Sequence, residues 1–505
     1  MNQLKVGAIL SYVTLVLTVI VTLISTPIMI EKLGQIEFGI YSLILAFIGY
    51  LSILDFGLGN AIIRYISRTR ADKDREQEAY LSGMFLILFS ILGIIAFGVG
   101  LIMYNQIDIL FGGKLNDDEL RLAQILALIL LINFSFSFPL SIFGAIVQAH
   151  ERFIFFKITN IIKNVIPSIV IVPFLYLGYG SITVVVITSL INILALVLNV
   201  WYCFFKLKLK LNFRKFNINL LKEILIYSGF VFLTVIIDKI YWSTDQIILG
   251  AVAGASEVAI YALAMQFIII YMSISTAISG LFLPKISMMD KKGESDEAFS
   301  NLFIKIGRLQ AIIVFFVLGG FYIVGEGFIE LWLGKEYIDV YKIVLIIMVP
   351  LSIPLIQNTG IAILQAKNLH GFRSITFFIV AVINFIVSIP IAHEYGYLGV
   401  ATVTGITLFI NQVVILNTYY YYKIKINILG FWKKILKIII VLTMSSYLVL
   451  IGDKYLINQN LIYEILIKVI IYSLLYLIFT WFLILKTREK QQIIQRLLKI
   501  KRGLG

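Results

Sequence analysis

The chain is poor in the residues from which most soluble active sites are built. In 505 residues it has one cysteine, Cys203, and three histidines, His150, His370 and His393. A single thiol permits no internal disulfide, and without paired Cys or His ligands a transition-metal site has nothing to assemble from. No Gly-x-x-x-x-Gly-Lys-Ser/Thr phosphate loop occurs, which removes ATP as a direct driver. Charged residues make up only 14%, against about 25% in ordinary soluble domains. Apolar side chains take their place, at 60% of the chain and a mean hydropathy of +0.98. Because a membrane-spanning helix takes about 20 residues, this composition excludes a soluble globular fold and predicts an all-α polytopic membrane bundle.

Apolar runs broken by charge or turn residues predict fourteen spans, near 7–30, 39–63, 80–104, 123–147, 154–176, 182–205, 225–249, 258–283, 309–331, 341–364, 375–392, 398–421, 431–451 and 461–485. The first has no small-x-small cleavage site after it and reads as an uncleaved helix. Sorting the 42 basic residues by alternating loops puts 33 on the side of the N-terminus and six on the other, while Lys163, Lys239 and Lys468 fall within spans. By the positive-inside rule this bias predicts that both termini are cytoplasmic. It also accounts for the net charge of +14 without nucleic acid as a partner. The basic alternation Lys206–Leu211 and the amphipathic stretch after 486 are expected to lie on anionic lipid at the inner surface.

Self-similarity divides the chain further. Glu37-Phe38-Gly39-Ile40-Tyr41-Ser42-Leu43 recurs as Glu257-Val258-Ala259-Ile260-Tyr261-Ala262-Leu263, an offset of 220. Leu17–Ile20 returns at Leu233–Ile236, Gly113-Lys114 at Gly334-Lys335, Ala145–Ala149 at Ala362–Ala366 and Asn192 at Asn411, all at offsets of 216 to 221. Five matches in order predict a duplication: an N-lobe over 1–205, a basic linker over 206–224, a C-lobe over 225–422, two appended spans over 423–485 and a cytoplasmic tail over 486–505. Six spans is an even number, so the repeats are parallel, an arrangement suited to alternating access around a site between them.

Three segments carry a family resemblance: Leu33–Tyr41, Asp55-Phe56-Gly57-Leu58-Gly59 with Arg64 beyond it, and Thr244-Asp245-Gln246-Ile247-Ile248-Leu249-Gly250. They resemble the polysaccharide transporters of the multidrug/oligosaccharidyl-lipid/polysaccharide exporter superfamily, which include O-antigen flippases. The resemblance covers the whole chain. It implies two V-shaped lobes that carry an undecaprenyl-diphosphate-linked oligosaccharide from the inner to the outer leaflet of a bacterial cytoplasmic membrane, with a polysaccharide polymerase and chain-length regulator as candidate partners. It implies no cofactor, although proton or sodium coupling fits. A multidrug exporter or a peptidoglycan-precursor flippase of the same superfamily is the alternative, and a membrane glycosyltransferase or polymerase a more distant one.

An ionisable group in hydrocarbon costs about 2.5–3.5 kcal/mol on insertion scales, so polar residues inside the spans are the substrate-binding candidates. On the seventh span Asp238, Tyr241, Trp242 and Asp245 share a helical face with Lys239 beside them. They offer carboxylates and rings to sugars, or else an ion pair and a helix end. On the second span Asp55, Asn60 and Arg64 lie among small residues where a bend can open a polar path. Arg64 reads either as a bidentate diphosphate ligand or as a headgroup anchor. On the fifth span Asn160, Lys163 and Asn164 form one polar stripe, with Lys163 either lining a cavity or buried in an ion pair with Asp55 or Asp238. Glu464, four residues before Lys468, makes that pair local. Gln148 and Gln365 read equally as packing or substrate contacts, and His150 as a solvated turn residue.

Overall fold

The computed structural model describes residues 3–213, 218–279, 282–367, 369–453, 460–492 and 494–495. Residues 214–217 of the expected linker, Lys454, and the expected tail beyond 495 lie outside the described residues, as does the His370 side chain. Among the described residues the chain is all helix, without strands.

Among the described residues eleven helical stretches are long and apolar enough to cross a membrane. Two of them, Ile9–Ala71 and Gly371–Tyr422, run to 63 and 52 residues. Each is interrupted by a glycine in the left-handed half of backbone space, Gly34 (φ 77) and Gly396 (φ 53), at the turns expected between spans one and two and between eleven and twelve. Ile218–Val252 is a further helix of 35 residues. The expected first and second spans, and the eleventh and twelfth, each fall within one such stretch, and the expected seventh falls within Ile218–Val252.

The helices gather into two compact units. The first, residues 1–262 and 385–397, holds α1 (Gln3–Ile48), α2 (Leu58–Ala71), α3 (Arg75–Asn105), α4 (Ile107–Phe111), α5 (Asp117–Ala149), α6 (Phe153–Tyr176), α7 (Ser181–Trp201), α8 (Ile218–Val252) and the start of α9 (Ala255–Ser279). The second, 263–384 and 398–505, holds the rest of α9, α10 (Leu283–Lys291), α11 (Asp296–Leu333), α12 (Asp339–Ile356), α13 (Asn358–Ala366), α14 (His370–Phe409) outside 385–397, α15 (Asn417–Tyr422), α16 (Ile428–Asp453) and α17 (Leu461–Phe479).

Lipid tails are as apolar as leucine, so helices in a membrane associate through close packing and hydrogen bonds. The first unit uses both. Leu58, Ala61, Ile62 and Ile66 recur at helical spacing on α2 and bury against Met84, Phe85 and Phe89 of α3 and Ile142 and Ile146 of α5. Pro139 has no N–H for the Ser135 carbonyl one turn back, and Gly93 of α3 approaches that oxygen so closely that a Cβ would lie 2.7 Å from it. Asn192 on α7 donates to Asn133 Oδ1 and Ser137 Oγ on α5, both at 2.9 Å. Gly39 lies directly on the Ala255 carbonyl, and Gly250 on the Leu43 side chain.

His150 is a correction to the sequence reading. It is held against Glu78 with Nε2 2.6 Å from Oε1, and both side chains are largely covered. The reason is that α3 and α5 pack against each other, which brings the C-terminal end of α5 to Glu78 in the first turn of α3, while Arg70 donates to the Ala149 carbonyl at 2.7 Å.

In the second unit α11 is the common neighbour. Tyr472 and Tyr476 of α17 donate to its Phe316 and Ile312 carbonyls at 3.0 and 2.9 Å. Arg308 on α11 pairs with Glu489 after α17, and Lys468 pairs locally with Glu464 at 2.6 Å, as their order on the helix implies.

The duplicated motif performs the same task twice within the first unit. Glu37 Oε1 accepts the Ser181 N–H at 2.6 Å, opening α7, and Glu257 Oε2 accepts the Tyr397 N–H at 3.0 Å, just after the break in α14. A carboxylate suits a helix start because it meets orphan N–H groups and the positive end of the helix dipole. The residues before those N–H groups are Gly180 and Gly396, where a Cβ would stand 2.6 and 2.5 Å from the carboxylate oxygens. The structure thus explains the recurrence of Glu at an offset of 220.

Two expectations follow for the purified protein. Glu37→Ala leaves a helix-start N–H unanswered and should lower stability by about 1–3 kcal/mol, with Glu37→Gln recovering most of it; equal unfolding curves for all three would contradict the cap. Gly39→Ala should lower the unfolding temperature because backbone atoms must move. Gly98→Ala, where nothing lies within 4 Å, should leave it unchanged or raise it slightly.

Candidate functional site

The second span does not continue as a helix. A 3-10 segment, Gly49–Asp55, follows α1, and Phe56 (φ 50) and Gly57 (φ 68) then both turn left-handed before α2 starts at Leu58 without a side-chain cap. A bulky residue in that region is strained. The Phe56 ring packs against Phe232 of α8 with centroids 4.4 Å apart, which holds it there. The Asp-Phe-Gly-Leu-Gly signature is therefore a helix break inside an apolar stretch. Irregular backbone at membrane depth is tolerated only where protein covers it or a watery cavity meets it.

The expected candidates surround this break. Asp55 ends the 3-10 segment, half-buried, and Asn60 and Arg64 stand exposed on α2 four residues apart, on one face. The Arg64 guanidinium lies 6.0 Å from the Tyr65 ring, and Tyr65 donates to Glu223 of α8 at 2.9 Å. From α8, the Lys239 Nζ reaches the start of the 3-10 segment, 3.4 Å from where a Gly49 Cβ would stand. Tyr50 donates to the Lys239 carbonyl at 3.2 Å and shares a short hydrogen bond with the Thr244 hydroxyl. Spans two and seven are thus stitched together beside the break.

The expected face of α8 divides in two. Tyr241 and Asp245 are buried, at 0% and 1% exposure, while Asp238 is exposed and Trp242 half-buried. Tyr241 meets Trp242 edge to face at 5.1 Å. Asp245 Oδ2 accepts the Tyr261 hydroxyl of α9 at 2.5 Å. The two aspartates are close in angle but about 10 Å apart along the axis, and α9 covers only the second. Asp245 therefore joins helices, and Asp238 is the carboxylate on the surface.

The α6 stripe stands apart. Lys163 and Asn164 are exposed and Asn160 half-buried. Among the described residues Lys163 and Lys239 form no ion pair, so the paired alternative for Lys163, with Asp55 or Asp238, does not occur there. Nor do His, Cys, Asp and Glu gather in threes as a metal site among the described residues.

Sequence reasoning missed Tyr50, Gln35 and the two glutamates. Gln35 Nε2 donates to the Ser256 carbonyl at 3.1 Å and to its hydroxyl at 2.5 Å, beside the Gly39 contact on Ala255. The signal for Glu37 and Glu257 was present in the duplication. Tyr50 carried none, being one aromatic among 27 tyrosines.

Comparison with known proteins agrees with this arrangement. Residues 4–290 match the family described as polysaccharide biosynthesis protein. The chain is 23% identical over 423 residues to a putative O-antigen transporter of Shigella flexneri, covering 78% of this chain and 93% of that one. It is 24% identical over 458 residues to a probable low-salt glycan biosynthesis flippase of Haloferax volcanii, covering 88% and 89%. Among solved structures, the lipid II flippase MurJ in an inward closed conformation superposes with a TM-score of 0.74 at 18% identity over 94% of this chain and 98% of that one. An inward-facing multidrug resistance MATE family transporter superposes at 0.64 with 16% identity over 80% and 95%. The fold is therefore that of these transporters, and the chain belongs to the polysaccharide biosynthesis protein family.

Proposed function

We propose that this protein carries a lipid-linked oligosaccharide from the inner to the outer leaflet of the cytoplasmic membrane by alternating access, making and breaking no covalent bond. The observation that carries the reading is the broken second span. Its half-buried Asp55 and exposed Arg64 flank the break, and Lys239 of α8 lies beside Gly49, at the start of the 3-10 segment that leads into it. A cation held inside hydrocarbon costs a few kcal/mol, a cost that an anionic cargo beside it offsets. An undecaprenyl diphosphate supplies one, and a guanidinium can take two phosphate oxygens at once. Asp238 and Trp242, on the uncovered part of α8, offer a hydrogen-bond acceptor and a ring to the sugars, and Lys163 with Asn160 and Asn164 offers a second polar surface.

The 33 to 6 division of basic residues supports cytoplasmic termini, so Arg64 would meet substrate at the inner leaflet. The two six-span repeats are the proposed moving parts, with 423–485 as an appendage. The names of the relatives support a glycan-bearing lipid as cargo, and a polymerase and chain-length regulator are the partners such a cargo would next encounter. A multidrug exporter is the second reading. The exporter structure covers 80% of this chain where the lipid II flippase covers 94%, which favours a flippase with appended helices.

Deleting the gene should abolish surface glycan and leave the lipid-linked unit on the inner leaflet. Lys239→Ala or Arg64→Ala should restore export about tenfold less well than the unaltered gene at equal protein level, and Arg64→Lys only partly, since the bidentate contact is lost. Normal surface glycan in a deletion strain without a second flippase would refute the proposal.

A further inference from the structure

Three elements of the second unit bring cations to one place. Arg308 stands on α11, Lys434 on α16 and Lys486 just past α17, each at the cytoplasmic end of its expected span. The Arg308 guanidinium, with 15% of its side chain exposed, pairs with Glu489 Oε1. The other oxygen of Glu489 accepts the Lys486 N–H at 2.9 Å, so both oxygens of this carboxylate are engaged. Neither Lys434 nor Lys486 forms an ion pair among the described residues. The charges that act on Lys434 are those of Lys486 and Arg308, and both repel it. Three cations thus gather around one carboxylate, and two positive charges are left over. Like charges held together cost free energy until an opposite charge joins them.

The surroundings place this cluster at the level of lipid headgroups. Trp432 at the start of α16 and Trp481 just after α17 are half-buried, as tryptophans of an interfacial belt are. Lys490 lies over the Trp481 and Phe482 rings, 5.9 and 5.7 Å from their centroids, which holds a fourth cation at the same level. On the membrane side of the cluster Leu436 of α16 and Phe482 and Leu483 after α17 are exposed. Spare positive charge bordered by exposed apolar side chains matches a ligand with an anionic head and a hydrocarbon body, and basic pockets between helices at the cytoplasmic face suit phosphate-bearing headgroups.

We propose that Arg308, Lys434 and Lys486 form a binding site for the phosphate of an anionic phospholipid of the inner leaflet. The lipid supplies the missing anion and ties α11, α16 and the segment after α17 together. Lysine ammonium groups act as point charges without the planar fork of a guanidinium, so the site reads the charge of a headgroup more than its shape.

The test adds lipid to the purified, delipidated full chain in detergent and follows its unfolding. Phosphatidylglycerol should raise the unfolding temperature saturably by roughly 2 °C or more over phosphatidylcholine, whose headgroup carries the same phosphate without net charge. Lys434→Gln with Lys486→Gln should abolish the difference. Lys206→Gln with Lys208→Gln, which removes the same charge from the basic alternation of the first unit, should keep it. Should the first pair of substitutions not fold, Lys434→Gln alone should weaken phosphatidylglycerol binding about fivefold in the same titration. Equal shifts with both lipids would overturn the site. A difference lost equally in the Lys206 and Lys208 variant would also overturn it, by showing a general attraction to charged surface. So would a shift of the same size from inorganic phosphate, which brings no hydrocarbon, or undecaprenyl phosphate binding there ten times more tightly than phosphatidylglycerol, which would assign the cluster to the cargo.

Discussion

The structure depends on one constraint: within a bilayer no water is at hand to pair with a backbone N–H or C=O, so every interruption of a helix must be answered by protein. This chain interrupts its helices often, and the described interruptions are the places where its side chains are least ordinary. At the entries to α7 and to the last part of α14 the answer is a glutamate from another helix. At Pro139 it is a glycine that lets a neighbouring backbone approach a stranded carbonyl. At Phe56-Gly57 the ring of Phe232 holds the left-handed turn, and polar candidates flank it.

The family signatures gain physical content from the same constraint. Glu37 and Gly39 in the first signature cap one helix and lie against the carbonyl of Ala255. Asp55, Phe56 and Gly57 in the second end a 3-10 segment and interrupt the helix. Thr244, Asp245 and Gly250 in the third meet Tyr50, Tyr261 and Leu43 in turn. All three signatures thus serve the seam between spans two, seven and eight in the first unit. A motif recognisable in sequence is here a set of close contacts, and only a few of its residues are placed to touch a substrate.

That explains what could be read in advance. The all-helical fold class and the long apolar helices were legible because hydropathy is a property of the chain alone. The bend near Asp55 was legible from its glycines, and the Glu464–Lys468 pair from its spacing. The division of α8 was not. Angular position around a helix says which residues share a side, whereas burial depends on what covers that side at each level, and α9 covers Asp245 while leaving Asp238 exposed. His150 was misjudged for the same reason, since nothing in its own turn reveals Glu78, 72 residues earlier.

The units also differ in how they keep polar groups in an apolar interior. Among the candidates of the first unit the cations are on or near the surface, Lys163 and Arg64 exposed and Lys239 half-buried, so each can be met by a partner that arrives and leaves. In the second unit the buried charge at Lys468 is already matched by Glu464, while buried hydroxyls without a partner occur in both units, Ser82 and Ser181 in the first and Thr359 and Ser445 in the second. A large anion bearing sugars can use the first kind of site, because it needs an open surface and a charge that remains available.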